Sequence, residues 1–311
     1  MTANAALLAL SVDLDDLELY RAIHGLPSDE EAARARFSVS PAYVTGVRRA
    51  LAFARERGVP LTFFCVARDL EDPSVQGALA GAIAEGHTVE SHSQTHPYDL
   101  SRRSPNELDR EIGGSFDAIE RALGVRPTGF RAPGYIVDDP VFDALERAGA
   151  AFDSSVMPCP PYYFAKLAVL GAMQMIGRRS KSIVGGASVL VAPTEPYRPG
   201  SPYFRRGSRP LVELPIQVTR GPRLPVIGTS LGRAGERGAR ALVRACGATP
   251  LLNLELHLID FLDRSDVPIE LADLPELRTP LARRLAAFGA AIDAALGRRA
   301  VTLAEAARSV A

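Results

Sequence analysis

Apolar and polar positions alternate along the first half of the chain in two distinct rhythms. ALLALSV and LTFFCVA are short, nearly continuous apolar runs of the kind that forms buried strands. HTVESH is predicted to form a third, shorter strand. Residues 41–58 and 74–86 separate these runs, and their apolar side chains recur at helical spacing. This order of elements predicts parallel strands covered by helices.

The same rhythm continues through the middle of the chain. Ser104, with Glu107 three positions later, predicts the capping box of a helix over 104–124. The strand patterns TGFRAP and AFDSSV flank a helical pattern at 139–149. After residue 210 the pattern predicts two more strands, LVELPIQV and LLNLELHLI, and helices at 239–247, 278–298 and 302–310.

Residues 158–209 interrupt this alternation, because they are rich in Pro, Gly and Tyr around an apolar centre. We interpret them as an insertion or lid within a single catalytic domain over residues 1–311. About seven strands alternating with helices could close into a barrel. Such a barrel would gather its functional groups at the carboxyl ends of the strands.

Composition narrows the class of protein. Lys plus Arg and Asp plus Glu both number 36, so the chain lacks the excess of positive charge expected for nucleic-acid binding. The cysteines Cys65, Cys159 and Cys246 are too widely spaced for a zinc ribbon or a disulfide framework. The amino-terminal residues show no basic leader, and no uncharged apolar run is long enough to span a bilayer. We therefore expect a cytoplasmic protein.

Candidate metal ligands follow the first and third predicted strands. Asp13, Asp15 and Asp16 stand within four positions, where their mutual repulsion favours a neighbouring cation. His92 and His96 are four positions apart, and one helical turn would place both rings on the same side. One carboxylate and two imidazoles would leave coordination positions open for water and substrate.

Two further strand ends carry candidate catalytic groups. In FRAPGY, Arg131 would emerge near the aspartates, and the Pro133–Gly134 step could direct a backbone N–H into the site. In LNLELHLID, His257 follows alternating leucines and could point into the mouth of the barrel. Each signal is weak alone, but together they place Asp, His, His, Arg and His at four strand ends.

The ordered segments SVDLDD, SHSQTHP, FRAPGY, FDSSV and LELHL resemble the five motifs of the polysaccharide deacetylase family, the NodB-homology group in carbohydrate esterase family 4. The resemblance spans roughly residues 5–265. It implies a distorted (β/α)7-type, TIM-like barrel with an insertion after the fifth strand. It also implies one divalent metal, for which we expect Zn²⁺, with Co²⁺, Ni²⁺, Mn²⁺ or Fe²⁺ as alternatives.

The resemblance also implies roles for individual residues. His92 and His96 match the metal-binding histidines, Arg131 the arginine that orients the base, and His257 the general acid. VDLDD favours Asp13 as general base and Asp15 as ligand, although Asp15 and Asp16 form the alternative pair. A backbone N–H of Gly134 or Tyr135 would stabilise the oxyanion, and Asp153 would orient Arg131 or His257.

The implied reaction is removal of an N-acyl group, acetyl above all, from an amino sugar that could be lipid-linked. Two departures leave alternatives open: the aromatic after the proline of FRAPGY is displaced by Gly134, and the chain has no Trp. The first alternative is hydrolysis of a formamide, ureide or cyclic imide. The second is a non-catalytic relative that binds a metal or a glycan.

The predicted insertion adds one candidate partner. Residues 161–181 are apolar and end in Arg178, Arg179 and Lys181, a pattern typical of segments that contact an anionic membrane surface. The alternative is a helix that packs on the barrel or covers the site.

Overall fold

The computed structural model describes residues 6–26 and 41–310. Within these ranges the chain forms one sheet with helices packed around it. Its strands are β1 (Leu7–Asp13), β2 (Leu61–Cys65), β3 (Thr88–Ser91), β4 (Gly129–Phe130), β5 (Phe152–Asp153), β6 (Val212–Glu213), β7 (Leu251–His257) and β8 (Arg299–Ala300).

The α-helices cover the strands in the alternating order that the sequence predicts. They are α1 (Leu17–Ile23), α2 (Pro41–Arg57), α3 (Pro73–Ala84), α4 (Pro105–Leu123), α5 (Asp139–Ala148), α6 (Pro160–Met175), α7 (Gly228–Ala245), α8 (Leu281–Ala294) and α9 (Leu303–Val310). The predicted cap at α4 is present, since the Glu107 carboxylate accepts the N–H and the hydroxyl of Ser104 at 2.9 and 2.6 Å.

All strand pairs of the sheet are parallel, in the order β6-β5-β4-β3-β2-β1-β7, with β8 added on β1. The strand β1 is central and pairs with β7 over its whole length. This register sets Asp13 beside both Phe64 and His257. The carboxyl ends of the strands therefore meet on one side of the sheet, as predicted.

The curled sheet closes through side chains and isolated bridges. Gln217 N–H donates to the Asn253 carbonyl at 3.1 Å, and the Asn253 amide donates to the carbonyls of Leu214 and Pro215. A single parallel bridge joins Ile227 to Glu255. This incomplete closure is that of a distorted seven-stranded barrel, so the predicted fold class is confirmed.

The inner face of the barrel changes from apolar at the amino ends of β1 and β7 to polar and charged toward their carboxyl ends. In β1, Leu8, Leu10 and Val12 pack in the main cluster with the outer helices. The intervening Leu7 and Ala9 belong to a second cluster with Phe152 and Leu214. On this inner face of β1 and β7, apolar residues lie at the amino end and Ser11, Asp13, Asn253, Glu255 and His257 lie toward the carboxyl end.

Several elements differ from the sequence-based expectation. Helix α1 was not predicted, and α7 begins well before residue 239. The strand β6 covers only two residues of LVELPIQV, because Pro215 has no N–H to continue the ladder. The segment between β5 and β6 contains α6, which has no buried residue.

The packing between β4 and β5 yields a prediction about stability. A Cβ at Gly129 would lie 2.0–2.4 Å from the ring atoms of the buried Phe152. We expect Gly129→Ala to lower the free energy of unfolding by about 1–3 kcal/mol, the usual cost of overpacking a core. Urea unfolding monitored by circular dichroism measures the change.

Gly113→Ala is the matched control, because Gly113 lies within α4 and a Cβ there meets nothing within 4 Å. It should raise the free energy of unfolding by about 0.5–1 kcal/mol through helix propensity. Equal stability of the two variants would contradict the packing argument.

Candidate active site

The two aspartates at the end of β1 diverge. Asp13 is the last residue of the strand, and its Oδ1 accepts a hydrogen bond of 2.6 Å from Arg131 Nη1. Asp15 lies two positions further, with Oδ1 at 3.4 Å from His92 Nε2 and 3.2 Å from His96 Nε2. All five residues in these contacts are buried, so the strand end separates an arginine-bound carboxylate from one facing imidazoles.

The two imidazoles converge through a loop, and the predicted helical turn is wrong. After β3 the chain turns at Ser93 and His96, which have left-handed φ values of 68° and 60°. Ser93 Oγ accepts the His96 N–H at 3.0 Å, and Ser91 Oγ accepts the Ser93 N–H at 3.1 Å. These serine bonds, rather than helical spacing, bring the ring centroids within 4.8 Å.

The hydrogen bonds of this loop leave the possible metal-binding atoms of Asp15, His92 and His96 facing one another. His92 Nδ1 donates to the Arg131 carbonyl at 2.7 Å, which directs the lone pair of Nε2 toward Asp15. Both ring nitrogens of His96 and the Oδ1 of Asp15 are buried without a hydrogen-bond partner among the described residues. Such orphaned atoms are costly unless a ligand satisfies them.

A divalent cation fits this set. Ligand atoms of Asp15, His92 and His96 lie within 4.8 Å of one another. Although burial opposes ionisation, the two imidazoles hold the pKa of Asp15 well below its usual range, so the carboxylate is charged. One carboxylate and two imidazoles are donors that zinc and related metals accept, with positions left for water and substrate.

Arg131 is wholly buried and fixes Asp13. Its Nε donates to the Ser154 carbonyl at 2.8 Å, its Nη2 to Ser154 Oγ at 2.9 Å and its Nη1 also to Ser11 Oγ at 2.8 Å. The guanidinium carbon lies 4.2 Å from the centre of the Phe64 ring. Burial raises the pKa of Asp13, and the Arg131 charge opposes that shift. Asp13 is thus a carboxylate that can accept a proton.

His257 is held at the other side of Asp13 by a residue that sequence reasoning missed. Its Nδ1 lies 2.8 Å from Oε1 of the buried Glu255, and its Nε2 lies 3.3 Å from the Tyr135 hydroxyl. Burial alone would lower the pKa of His257, but the Glu255 carboxylate raises it well above the ordinary value. The imidazole is therefore protonated and partly open to solvent, as a proton donor needs to be.

Asp13, Glu255 and His257 also approach within 4.8 Å of one another. In this second group the charges already have partners, because Asp13 binds Arg131 and Glu255 binds His257. Asp15 has no arginine or lysine within salt-bridge distance among the described residues, which makes its group the better cation site.

The predicted oxyanion donors differ from the structure in one respect. Gly134 and Tyr135 both adopt left-handed conformations, with φ of 63° and 62°. The Tyr135 N–H donates to the Ala132 carbonyl at 3.0 Å, so this N–H already has a partner within its own turn. Tyr135 instead contributes its hydroxyl to His257, and Gly134 is left as the candidate backbone donor.

Asp16 and Asp153 are the two remaining candidate aspartates. Asp16 occupies the N-cap position of α1 and is not a member of the group that could bind a metal. Burial raises the pKa of Asp69 to about 8, and the charge of Asp16 adds to that shift. Asp153 does not hydrogen-bond to Arg131 or His257; it accepts the N–H and hydroxyl of Ser155 at 3.0 and 2.7 Å. The Ser155 Oγ in turn accepts the Ala132 N–H, so Asp153 steadies the strand end.

Comparison with known proteins finds similarity to polysaccharide deacetylases. The family model for polysaccharide deacetylase matches residues 37–152. A chitooligosaccharide deacetylase of Bradyrhizobium sp. (strain ANU 289) is 36% identical over 95 residues, covering 30% of this chain and 42% of the relative. Residues 37–152 of the chain are therefore similar to the polysaccharide deacetylase family.

One further curated relative matches a short segment, and two solved structures match the whole fold. Chitin deacetylase 1 of Cryptococcus neoformans var. grubii is 32% identical over 90 residues, covering 29% of this chain and 18% of that protein. The matched segments thus span less than half the length of these two curated family members. A crystal structure of a Mycobacterium smegmatis protein assigned to the polysaccharide deacetylases has a TM-score of 0.61 at 19% identity, covering 100% of this chain and 92% of that one. One from Pseudomonas aeruginosa PAO1 has a TM-score of 0.55 at 14% identity, covering 98% and 91%.

Aromatic side chains that the sequence analysis passed over lie along the candidate site. The Tyr98 ring lies 4.7 Å from the His96 ring, and the Tyr162 ring lies 6.0 Å from the Tyr135 ring. The Tyr98 hydroxyl is buried without a hydrogen-bond partner among the described residues. The signal for Tyr98 was its position two residues after His96; Tyr162 comes from the insertion and gave none.

Metal analysis distinguishes the pair Asp13 and Asp15 from the alternative pair Asp15 and Asp16 as base and metal ligand. We expect Asp15→Asn to weaken zinc binding more than about 100-fold, because it removes a ligand rather than an outer partner. Asp13→Asn and Asp16→Asn should bind zinc like the wild type. Equilibrium dialysis followed by elemental analysis measures the bound metal. Loss of zinc in Asp16→Asn with retention in Asp15→Asn would instead support the adjacent pair Asp15 and Asp16.

Proposed function

We propose that this protein is a metal-dependent hydrolase that removes an N-acetyl group from an amino sugar of a glycan or glycoconjugate. One observation carries the proposal: the converging ligand atoms of Asp15, His92 and His96 share one barrel mouth with an arginine-bound carboxylate and a protonated imidazole. Amide hydrolysis needs an electrophile, a base and an acid, and each has a separate residue here.

Asp15, His92 and His96 would hold the cation. Lewis acidity toward the acyl carbonyl and a lowered pKa of water are the chemistry that such a cation supplies when bound. The donor set supports zinc as the first choice, with Co²⁺, Ni²⁺, Mn²⁺ or Fe²⁺ as alternatives.

Asp13 acts as the general base of the proposed reaction. Its Oδ1 is tied to Arg131, and its Oδ2 has no hydrogen-bond partner among the residues described, so that oxygen can accept a proton from water. Arg131 keeps the carboxylate oriented and offsets its charge. The base therefore receives its proton beside the metal group without moving.

His257 acts as the general acid and delivers a proton to the departing amine. Glu255 stabilises the protonated imidazole from Nδ1, so that Nε2 carries the proton to be transferred. The Tyr135 hydroxyl beside Nε2 marks the position from which a substrate group would approach.

The aromatic surroundings support a sugar substrate. Rings of Tyr98, Tyr135 and Tyr162 lie around the site. Tyr faces pack against sugar rings, and the hydroxyls supply polar contacts. The cytoplasmic location stays a prediction, although no helix among the residues described is long and apolar enough to cross a bilayer.

Product analysis tests the reaction. Zinc-loaded protein should release acetate from chitooligosaccharides, lose this activity on treatment with a chelator, and regain it when zinc is returned. Asp13→Asn should lower turnover by about 10²–10⁴-fold, the range typical of a lost general base. Release of formate alone from a panel of N-acyl sugars, or full turnover by metal-free protein, would contradict the proposal.

The pH dependence tests the pair of Glu255 and His257. Because Glu255 raises the pKa of His257, the acid stays protonated to higher pH than a free imidazole. Glu255→Gln removes this stabilisation, so the alkaline limb of the pH–rate profile should move to lower pH. Glu236→Gln on the exposed surface of α7 is the control and should leave the profile unchanged. An unshifted limb in Glu255→Gln would rule out this role for Glu255.

A further inference from the structure

Helix α6 turns its charged residue toward the protein and its apolar residues toward solvent. Lys166 is its only charged residue, and it faces the protein, where its Nζ donates to the Gly134 carbonyl at 3.3 Å. The exposed side chains are apolar instead: Phe164, Leu167 and Met175 are 58%, 51% and 83% exposed. A helix on a water-facing surface normally shows the opposite arrangement.

The inner face of α6 is fixed to the wall of the active site. The Tyr162 ring lies 6.0 Å from the Tyr135 ring, and the Tyr163 hydroxyl donates to the Gly185 carbonyl at 3.2 Å. Burial lowers the pKa of Lys166 to about 8. The helix is therefore held in a defined orientation, and its apolar outer face is a consequence of that attachment.

A basic turn follows the helix directly. Arg178 and Arg179 are exposed, and the Arg178 N–H donates to the Met173 carbonyl at 2.9 Å. The next residues return to α1, where the Lys181 N–H donates to the Ala22 carbonyl at 3.0 Å. The exposed Ile176, at 69%, joins the apolar face to this turn.

We propose that the outer face of α6 and the turn at 176–179 form a docking surface for an anionic phospholipid bilayer. A helix of this kind lies in the interface, with its apolar face among the upper acyl chains and its basic residues at the headgroups. Sixteen residues suffice for this arrangement, because the helix lies along the surface rather than across it.

Charge favours a membrane over a second copy of the chain. The sequence has no Asp or Glu between residues 154 and 194. Self-pairing of this segment would leave Arg178 and Arg179 without an acidic partner from the same surface. Anionic headgroups supply the missing charge, and each basic residue adds to the attraction.

Docking would bring the active site close to the bilayer, because the inner face of α6 contacts Gly134 and Tyr135. This would suit an amino sugar carried on a lipid. That consequence rests on the proposed function, but the docking itself does not, and binding is measured without any reaction.

Vesicle flotation of the full chain tests the proposal. The protein should float with vesicles containing one phosphatidylglycerol for every two phosphatidylcholines and only weakly with phosphatidylcholine alone. Phe164→Glu combined with Leu167→Glu should abolish flotation with both. Arg178→Glu combined with Arg179→Glu should weaken partition into the anionic vesicles by about 10-fold or more and leave the weak binding to phosphatidylcholine unchanged. At about 1 M NaCl, where the screening length is about 3 Å, the advantage of anionic lipid should disappear.

Two matched controls carry the same chemical changes elsewhere. Leu296→Glu alters an apolar side chain that is 87% exposed just before β8, and Arg233→Glu combined with Arg237→Glu alters an exposed basic pair on α7. Both should float like the wild type. Circular dichroism and zinc content of every variant establish that folding is intact.

Three results would overturn the proposal. Wild-type protein could fail to float with anionic vesicles. The double substitution at Phe164 and Leu167 could leave flotation unchanged. Analytical ultracentrifugation could show a dimer that this substitution dissociates, without vesicle binding, in which case the face is an interface between copies.

Discussion

The buried guanidinium of Arg131 ties together the parts of the site that arise from separate strands. Its side chain holds Asp13 at the end of β1 and Ser154 after β5, while its backbone carbonyl accepts the Nδ1–H of His92 after β3. One residue thus orients the proposed base and sets the tautomer of a proposed metal ligand. A buried cation of this kind is tolerated only because carboxylates and carbonyls surround it. Replacing it would leave Asp13 as a buried carboxylate without its arginine partner.

At the barrel mouth, the two aspartates differ in pKa and the two histidines differ in protonation, because their surroundings differ. Asp15 faces two imidazoles and is held ionised, whereas burial raises the pKa of Asp13. His257 gains a proton from its contact with Glu255, while His92 gives its Nδ1–H to a carbonyl and keeps a lone pair on Nε2. Similar residue types therefore acquire different chemical roles through their neighbours.

The segment between β5 and β6 connects this chemistry to the outer surface. It contributes Tyr162 and Lys166 to the wall beside Gly134 and Tyr135, and it turns Phe164 and Leu167 toward solvent. The inward position of Lys166 is the decisive feature, since it leaves the outer face without charge. An environment other than water is then the natural partner for that face.

Much of the fold follows from the sequence, because strand and helix periodicities are local properties of the chain. ALLALSV, LTFFCVA and LLNLELHLI predict β1, β2 and β7, and Ser104 with Glu107 predicts the start of α4. The ends of the strands predicted at β1, β3, β4 and β7 also identified Asp13, Asp15, His92, His96, Arg131 and His257 as candidates. Tertiary structure alone decided their partners. The serine-bonded loop at Ser93 replaces the expected helical turn, the Tyr135 N–H is used by its own turn, and Asp153 contacts Ser155 rather than Arg131. Glu255 pairs with His257 because strand alternation sends both side chains inward, a relation visible in LELHL once the inner face is known. Periodicity fixes which side of an element a residue occupies. The atoms it meets there depend on register and on packing between distant segments.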